Sequence, residues 1–135
     1  MQLGARIKEI INDRLGKLRP DLPQIDSTLF YEDDGRGRAR QLVILESNKF
    51  DRSPCGTGMS ARMAELALHG RLRVGDTYEV ENVLGVPFLG HVLAEAVVGG
   101  QPAIVPQVTG RASLSSFTTL IVEADDPLRT GFLCR

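Results

Sequence analysis

The stretch FDRSPCGTGMSARMAELALHG, residues 50–70, places a cysteine between a proline and two glycines, directly ahead of a run of small and apolar residues. Pro54 restricts the entry to the turn, while Gly56 and Gly58 admit backbone angles that a side chain forbids. The following run predicts a helix from about Thr57 to His69, with Gly70 where a helix C′ residue belongs. Met59, Met63 and Leu66 mark one side, but Ala61, Ala64, Ala67 and Leu68 leave little polar surface elsewhere. Only Ser60, Arg62 and Glu65 ask for water. A helix apolar over most of its girth is expected to be buried over most of its girth.

Upstream, Leu3, Ile7, Ile10, Ile11 and Leu15 form a helical stripe closed near Gly16 and stopped by Pro20. STLFYED (27–33) and ARQLVILES (39–47) read as two strands joined through the Asp34-Gly35-Arg36-Gly37 turn. Downstream, TYEVENVL (77–84), FLGHVLAEAVV (88–98), AIVPQV (103–108) and ASLSSFTTLIVEA (112–124) read as four more, bounded by glycines. In the second of these, His91, Leu93, Glu95 and Val97 alternate with Val92, Ala94, Ala96 and Val98, the period of a half-buried strand. The predicted fold class is α+β, a mostly antiparallel sheet curled around a central apolar helix.

The totals bound the function. The 135 residues make one domain or a piece of a larger one, and the formal net charge of -1 offers no broad field for nucleic acid or an anionic membrane. The basic run GRGRAR (35–40) follows Glu32, Asp33 and Asp34 and reads as a solvated hairpin tip. No signal-peptide pattern opens the chain and no apolar run is long enough to span a membrane, so a soluble cytoplasmic protein is expected. Cys55 and Cys134 lie far apart in unlike surroundings and read as free thiols. His91 has no second ligand at metal spacing, and no metal site is read. His69 is expected to face the helix C-terminal dipole, and Phe88 to fill core.

At the start of the second helix, either Cys55 or Thr57 falls near the N-cap, and the amides of Gly56, Thr57 and Gly58 are expected to point outward without intrahelical partners. Such amides and the helix dipole suit a carboxylate or phosphate, and the same field is expected to depress the pKa of Cys55. Asp51 lies four residues upstream. A bland alternative makes Cys55 a small buried hydrophobe and Asp51 a partner of Arg52 or a turn cap. A Cys-x5-Arg phosphatase loop does not fit, because Ala61 holds the arginine position. Arg62, one residue on, is turned by about 100°.

DRSPCGTG (51–58), followed by a small-residue helix, resembles the second active-site motif of the proline racemase and hydroxyproline 2-epimerase family. The likeness continues through ALHGRLRVGDTYEVENVLGVPFLGHV (67–92), including Glu81, Gly85, Phe88 and Gly90, and through IVPQVTGRA (104–112) and DDPLRTGF (125–132). The resemblance implies one lobe of a diaminopimelate epimerase-like two-lobed fold. It also implies a cofactor-free inversion at the α-carbon of proline or hydroxyproline, one cysteine removing a proton while a second thiol delivers one. By motif match Cys55 is one of the two thiols, the amides of Gly56 and Thr57 hold the substrate carboxylate, and Asp51 its ring nitrogen. Some dehydratases of the family carry threonine at the position of Cys55, so the cysteine favours a racemase or epimerase.

One departure matters. The family's first motif, a Met-rich stretch containing Cys-Gly-His, has no counterpart here, and Cys134 lacks a glycine turn and a following helix, which makes it a bystander. Residues 1–135 are therefore expected to correspond to the C-terminal lobe alone, inactive by itself, its other half supplied by the missing N-terminal lobe or by a second copy in a homodimer. The alternative is a non-catalytic remnant or carboxylate-binding module.

Overall fold

A computed structural model describes residues 2–45 and 49–131. Cys134 and the chain end, together with residues 46–47 of the second expected strand, lie outside the described residues. Helix α1 spans Gln2–Leu18, and the hairpin strands β1 (Thr28–Asp33) and β2 (Arg38–Ile44) follow. Helix α2 covers Gly56–Leu68, and strands β3 (Thr77–Glu81), β4 (Pro87–Val98) and β5 (Gln101–Thr109) complete the regular elements. The strands form one sheet in chain order. β1–β2, β3–β4 and β4–β5 are antiparallel, whereas β2 and β3, separated by α2, run parallel with Arg38 opposite Glu79. That parallel pair is what a crossover through a helix produces. The β4–β5 ladder carries an irregularity between Val92 and Ala94.

The core lies where α2 meets the sheet. Met59, Met63 and Leu66 of α2 pack with Tyr78, Val80, Val92, Ala39 and Leu72, and Phe88 is partly buried against them. Two glycines let helix and sheet approach. A Cβ on Gly90 of β4 would lie 2.5 Å from Met63 Sδ, and one on Gly58 in the first turn of α2 would lie 2.8 Å from Leu29 Cδ1. A side chain at either position would have to displace Met63 or Leu29, and the contacts of Gly58 with Leu29 and Val43 seat the first turn of α2 against the β1–β2 hairpin.

Five strands cover only one side of α2. Ala61 and Leu68 are exposed, and Ala64 and Ala67 are only half-buried. The helix is thus not buried over most of its girth, because its apolar circumference exceeds the sheet available to cover it. Ala64, Ala67 and Leu68 instead line an open groove of about 870 Å³ with Val92, Val97 and Ile104. Helix α1 differs from its stripe in a similar way. Its buried residues are Gly4 and Lys8, while Leu3, Ile10 and Ile11 are exposed. Lys8 is held by backbone acceptors, its Nζ donating to Leu45 O at 2.7 Å and to Asp26 O at 3.1 Å.

The sixth expected strand does not form. Among the described residues, 112–124 pair with no other strand and are exposed throughout. Its residues favour extended backbone, but a strand also needs a neighbour to take up its N–H and C=O groups. The third expected strand is shorter than its pattern. It ends at Glu81 because Asn82 accepts from the N–H groups of Leu84 and Val86, both at 2.9 Å, and folds the next residues into a turn. The Asp34–Gly37 turn closes as read, with Asp34 Oδ1 accepting from Arg36 N at 2.7 Å, although Arg38 just beyond it pairs with Glu79.

The polar face of α2 is fixed to β1. Arg62 is buried, its guanidinium bonded to Asp33 Oδ2 at 3.0 Å and to the Glu65 carboxylate, and it lies 3.9 Å from the Tyr31 ring centroid. Burial works against the charge on Asp33. The Gly35 amide and the guanidinium groups of Arg62 and Arg71 outweigh it and hold the carboxyl below its usual range. A carboxyl with a lowered folded pKa stabilises above its unfolded value, about 4, and that contribution disappears as pH falls through the folded value. Asp33→Asn should therefore destabilise the chain by about 3 kcal/mol at neutral pH, since buried Arg62 keeps only Glu65 as a carboxylate partner. The same variant should flatten the loss of stability on the acid side, as urea titrations from neutral to acidic pH will show.

Candidate active site

The candidate site is built on the strand-to-helix passage at residues 51–58. Asp51 enters it from an antiparallel contact, its N–H donating to Val43 O at 2.9 Å. Asp51 Oδ1 accepts from Ser53 N at 2.8 Å, and Ser53 Oγ accepts from Cys55 N at 2.9 Å, so each polar side chain turns the chain one step further. Cys55 is the N-cap of α2, which settles the choice between it and Thr57. Its Sγ accepts from Gly58 N at 3.4 Å, and its carbonyl accepts from Met59 N at 2.9 Å. Among the described residues Cys55 alone, apart from glycines, has a positive φ, at 62°. That conformation costs a side-chain-bearing residue free energy and must be imposed by its surroundings.

Two buried amides impose it. Gln41 Nε2 donates to the carbonyl of Pro54 and, at 3.4 Å, to that of Cys55, while Asn82 Nδ2 donates to the carbonyl of Arg52. Neither residue was among the sequence candidates. Gln41 had a readable signal, since it shares the inward phase of β2 with buried Ala39 and Val43. Asn82 had none, because its partner lies 30 residues away.

The sequence-predicted residues do come together. Cys55, Gly56 and Thr57 form the helix start, and Asp51 lies beside the sulfur closely enough to perturb it. One expectation about the amides is modified, because the Gly58 N–H is taken by the Cys55 sulfur. Among the described residues, the N–H groups of Gly56 and Thr57 have no acceptor within hydrogen-bond geometry. Helix starts with such N–H groups attract anions.

The expected depression of the Cys55 pKa is corrected. Burial of the sulfur pushes its pKa up, the neighbouring Asp51 carboxylate adds to the rise, and the Gly58 and Thr57 amides oppose it without prevailing. A thiolate would have to form partly out of water and beside another negative charge, and both effects favour the neutral thiol. Elsewhere, His69 caps the C-terminus of α2 with Nδ1 2.8 Å from Glu65 O, as anticipated. Buried His91 Nδ1 has no hydrogen-bond partner, and no group of three or more potential metal ligands occurs among the described residues.

The family model for proline racemase matches residues 1–133. The chain belongs to the proline racemase family. It is 35% identical to the proline racemase of Acetoanaerobium sticklandii, over 97% of this chain and 41% of that protein. It is 36% identical to the 3-hydroxyproline 2-epimerase of Burkholderia multivorans, over 100% of this chain and 42% of that protein. The solved hydroxyproline epimerase of Agrobacterium vitis, with bound trans-4-hydroxy-L-proline, superposes with a TM-score of 0.76 at 30% identity, over 98% of this chain and 39% of that one. The chain thus spans about two fifths of the length of these relatives.

Alkylation by iodoacetamide reports the thiolate of Cys55 once Cys134 is replaced by serine. Its rate should rise with a midpoint at higher pH than in an unfolded peptide carrying residues 51–58, and Asp51→Asn should move that midpoint down. A folded midpoint below that of the peptide contradicts the account of burial and charge.

Proposed function

We propose that this chain supplies one half of a cofactor-independent racemase or epimerase site for proline or hydroxyproline, with Cys55 as one of two acid/base thiols. The observation that carries the reading is the helix start at which the Cys55 sulfur stands beside two N–H groups without acceptors and beside the Asp51 carboxylate. The Gly56 and Thr57 amides take the substrate carboxylate, and Asp51 takes the ring ammonium. Negative charge that develops at the carboxylate as the α-proton leaves then falls on donors already in place.

The raised pKa of Cys55 fits one direction of this chemistry directly and the other through the substrate. A neutral thiol can deliver a proton to one face of the α-carbon. To remove one, Cys55 must lose its own proton, and a ring ammonium on Asp51 compensates the carboxylate that disfavours the thiolate. Cys55 then takes the α-proton and becomes the thiol, the electron pair remains on the α-carbon, and a second acid protonates the opposite face. Acid and base have to sit on opposite sides of one carbon.

Cys55 occupies one side only. In this reading residues 1–135 correspond to the C-terminal lobe of a two-lobed enzyme. The second thiol comes from a companion lobe or from a second copy of this chain, and the chain alone is inactive. The greater length of the relatives, of which this chain covers about two fifths, supports the companion. A second reading, a carboxylate-binding module without turnover, is favoured by the half-buried position of the Cys55 sulfur beside the Asp51 carboxylate, both of which work against a thiolate.

Deuterium incorporation at the α-carbon of L-proline and trans-4-hydroxy-L-proline, followed by NMR in D2O, separates these readings. The chain alone should give none. Addition of a companion lobe should give steady exchange that Cys55→Ser abolishes. Steady exchange by the chain alone, lost in Cys55→Ser, removes the need for a partner, and exchange that persists in Cys55→Ser removes Cys55 from the mechanism.

A further inference from the structure

We propose that Asn82 and Gln41 are separate positioning residues for the two ends of the half-site, Asn82 setting the Asp51 carboxylate and Gln41 setting the Gly56 N–H. The inference deepens the half-site reading above and rests on it for what is bound. Both side chains are buried, each 2% exposed. Arg40 pairs with Glu81 at the end of the parallel β2–β3 ladder, and Gln41 and Asn82 each come one residue later. The sheet thus presents two amides together to the passage that carries Cys55.

A trans peptide carries its C=O and its N–H in opposite directions, so a donor that pins the one aims the other. No cis peptide occurs among the described residues. Asn82 Nδ2 donates to the carbonyl of Arg52, and the N–H of that same peptide, on Ser53, donates to Asp51 Oδ1 at 2.8 Å. Gln41 Nε2 donates to the carbonyl of Pro54 and, at 3.4 Å, to that of Cys55. The N–H groups of those peptides are on Cys55 and Gly56. The first donates to Ser53 Oγ at 2.9 Å, and the second has no acceptor among the described residues. Asn82 therefore aims the bond that holds the carboxylate proposed for the ring ammonium. Gln41 aims an N–H proposed for the substrate carboxylate.

Packing explains neither amide. The turn after β3 needs only Asn82 Oδ1, which accepts from Leu84 N and Val86 N at 2.9 Å and so leaves Nδ2 as the donor to Arg52. Gln41 shares the buried phase of β2 with Ala39 and Val43, where an apolar side chain would pack without losing water. Its Oε1 is buried without a partner. An unpaired buried polar atom costs free energy, and costs of this kind collect at sites that serve function.

The test compares Asn82→Ser and Gln41→Met in the ¹⁵N-labelled full chain. Serine keeps an oxygen for the turn N–H groups but ends one bond short of Arg52, and methionine keeps the length of Gln41 without a donor. Resonances of Met63 and Val80 in the core show that the fold is kept. In the parent, the Ser53 amide resonance should follow the titration of the Asp51 carboxyl. Asn82→Ser should remove most of that response and leave Cys55 and Gly56 in place. Gln41→Met should shift Cys55 and Gly56 and leave the Ser53 response intact. Variants that disturb all three amides alike have a merely structural effect and overturn the proposal, as does a Ser53 amide that still follows Asp51 in Asn82→Ser. If a variant does not fold, scalar couplings across hydrogen bonds in the parent decide. Couplings from Asn82 Nδ2 to the Arg52 carbonyl carbon and from Gln41 Nε2 to that of Pro54 uphold the assignment, and their absence overturns it.

Two ligands keep the claims apart. L-proline and tetrahydrofuran-2-carboxylate share a carboxylate, but only the first has a ring ammonium. Asn82→Ser should weaken L-proline about tenfold, the size of one charge-assisted contact, and leave the oxygen analogue unchanged. Gln41→Met should weaken both. Equal loss of the two ligands in Asn82→Ser overturns the assignment of Asn82. If neither ligand shifts Gly56 and Thr57 in the parent, the half-site reading falls, and the ligand-free resonances alone decide the positioning.

Discussion

The seating of the first turn of α2 on the β1–β2 hairpin governs the rest of this structure. Gly58 packs closely against Leu29 and Val43, and the helix start lies within reach of the buried Gln41 amide. Gln41 and Asn82 hold the carbonyls of the approaching chain, and Cys55 is left at a φ of 62° with its sulfur turned back to the Gly58 amide. One turn further along, the helix is secured to the same strand β1 through Arg62, Asp33 and Tyr31. Loosening either attachment changes the position of the sulfur, so packing and chemistry share the same few residues.

Electrostatics at this helix start are finely opposed. The dipole and amides of α2 favour an anion, while burial and Asp51 disfavour one on sulfur. The balance works against a thiolate and leaves the Gly56 and Thr57 amides open. Under the proposed function, a zwitterionic ligand addresses both halves of the conflict, its carboxylate meeting the amides and its ammonium meeting Asp51, so that recognition and activation of Cys55 are one event.

Much of this was legible in the sequence, and the remainder was hidden for physical reasons. Pro54, Cys55, Gly56 and Gly58 encode the turn locally, and the apolar positions of α2 and β4 encode their elements by period. The direction of the Cys55 pKa was misread because it depends on how far the sheet covers the sulfur and on where Asp51 points, neither of which follows from spacing. Asn82 acts on Arg52 across 30 residues, and no local pattern announces it. The stretch 112–124 shows the converse, a strong strand signal with no strand, because pairing belongs to two segments and only one of them is present among the described residues. Phase was the one overlooked clue, a glutamine in step with the buried face of β2.

An NMR titration of the ¹⁵N-labelled chain with L-proline, at a pH where Cys55 is protonated, tests the central claim most directly. The account predicts that the amide resonances of Gly56 and Thr57 move together and downfield as the carboxylate takes their N–H groups, while Gly58, already bonded to sulfur, moves much less. Resonances of Gly56 and Thr57 that stay fixed while the ligand shifts residues elsewhere would contradict it.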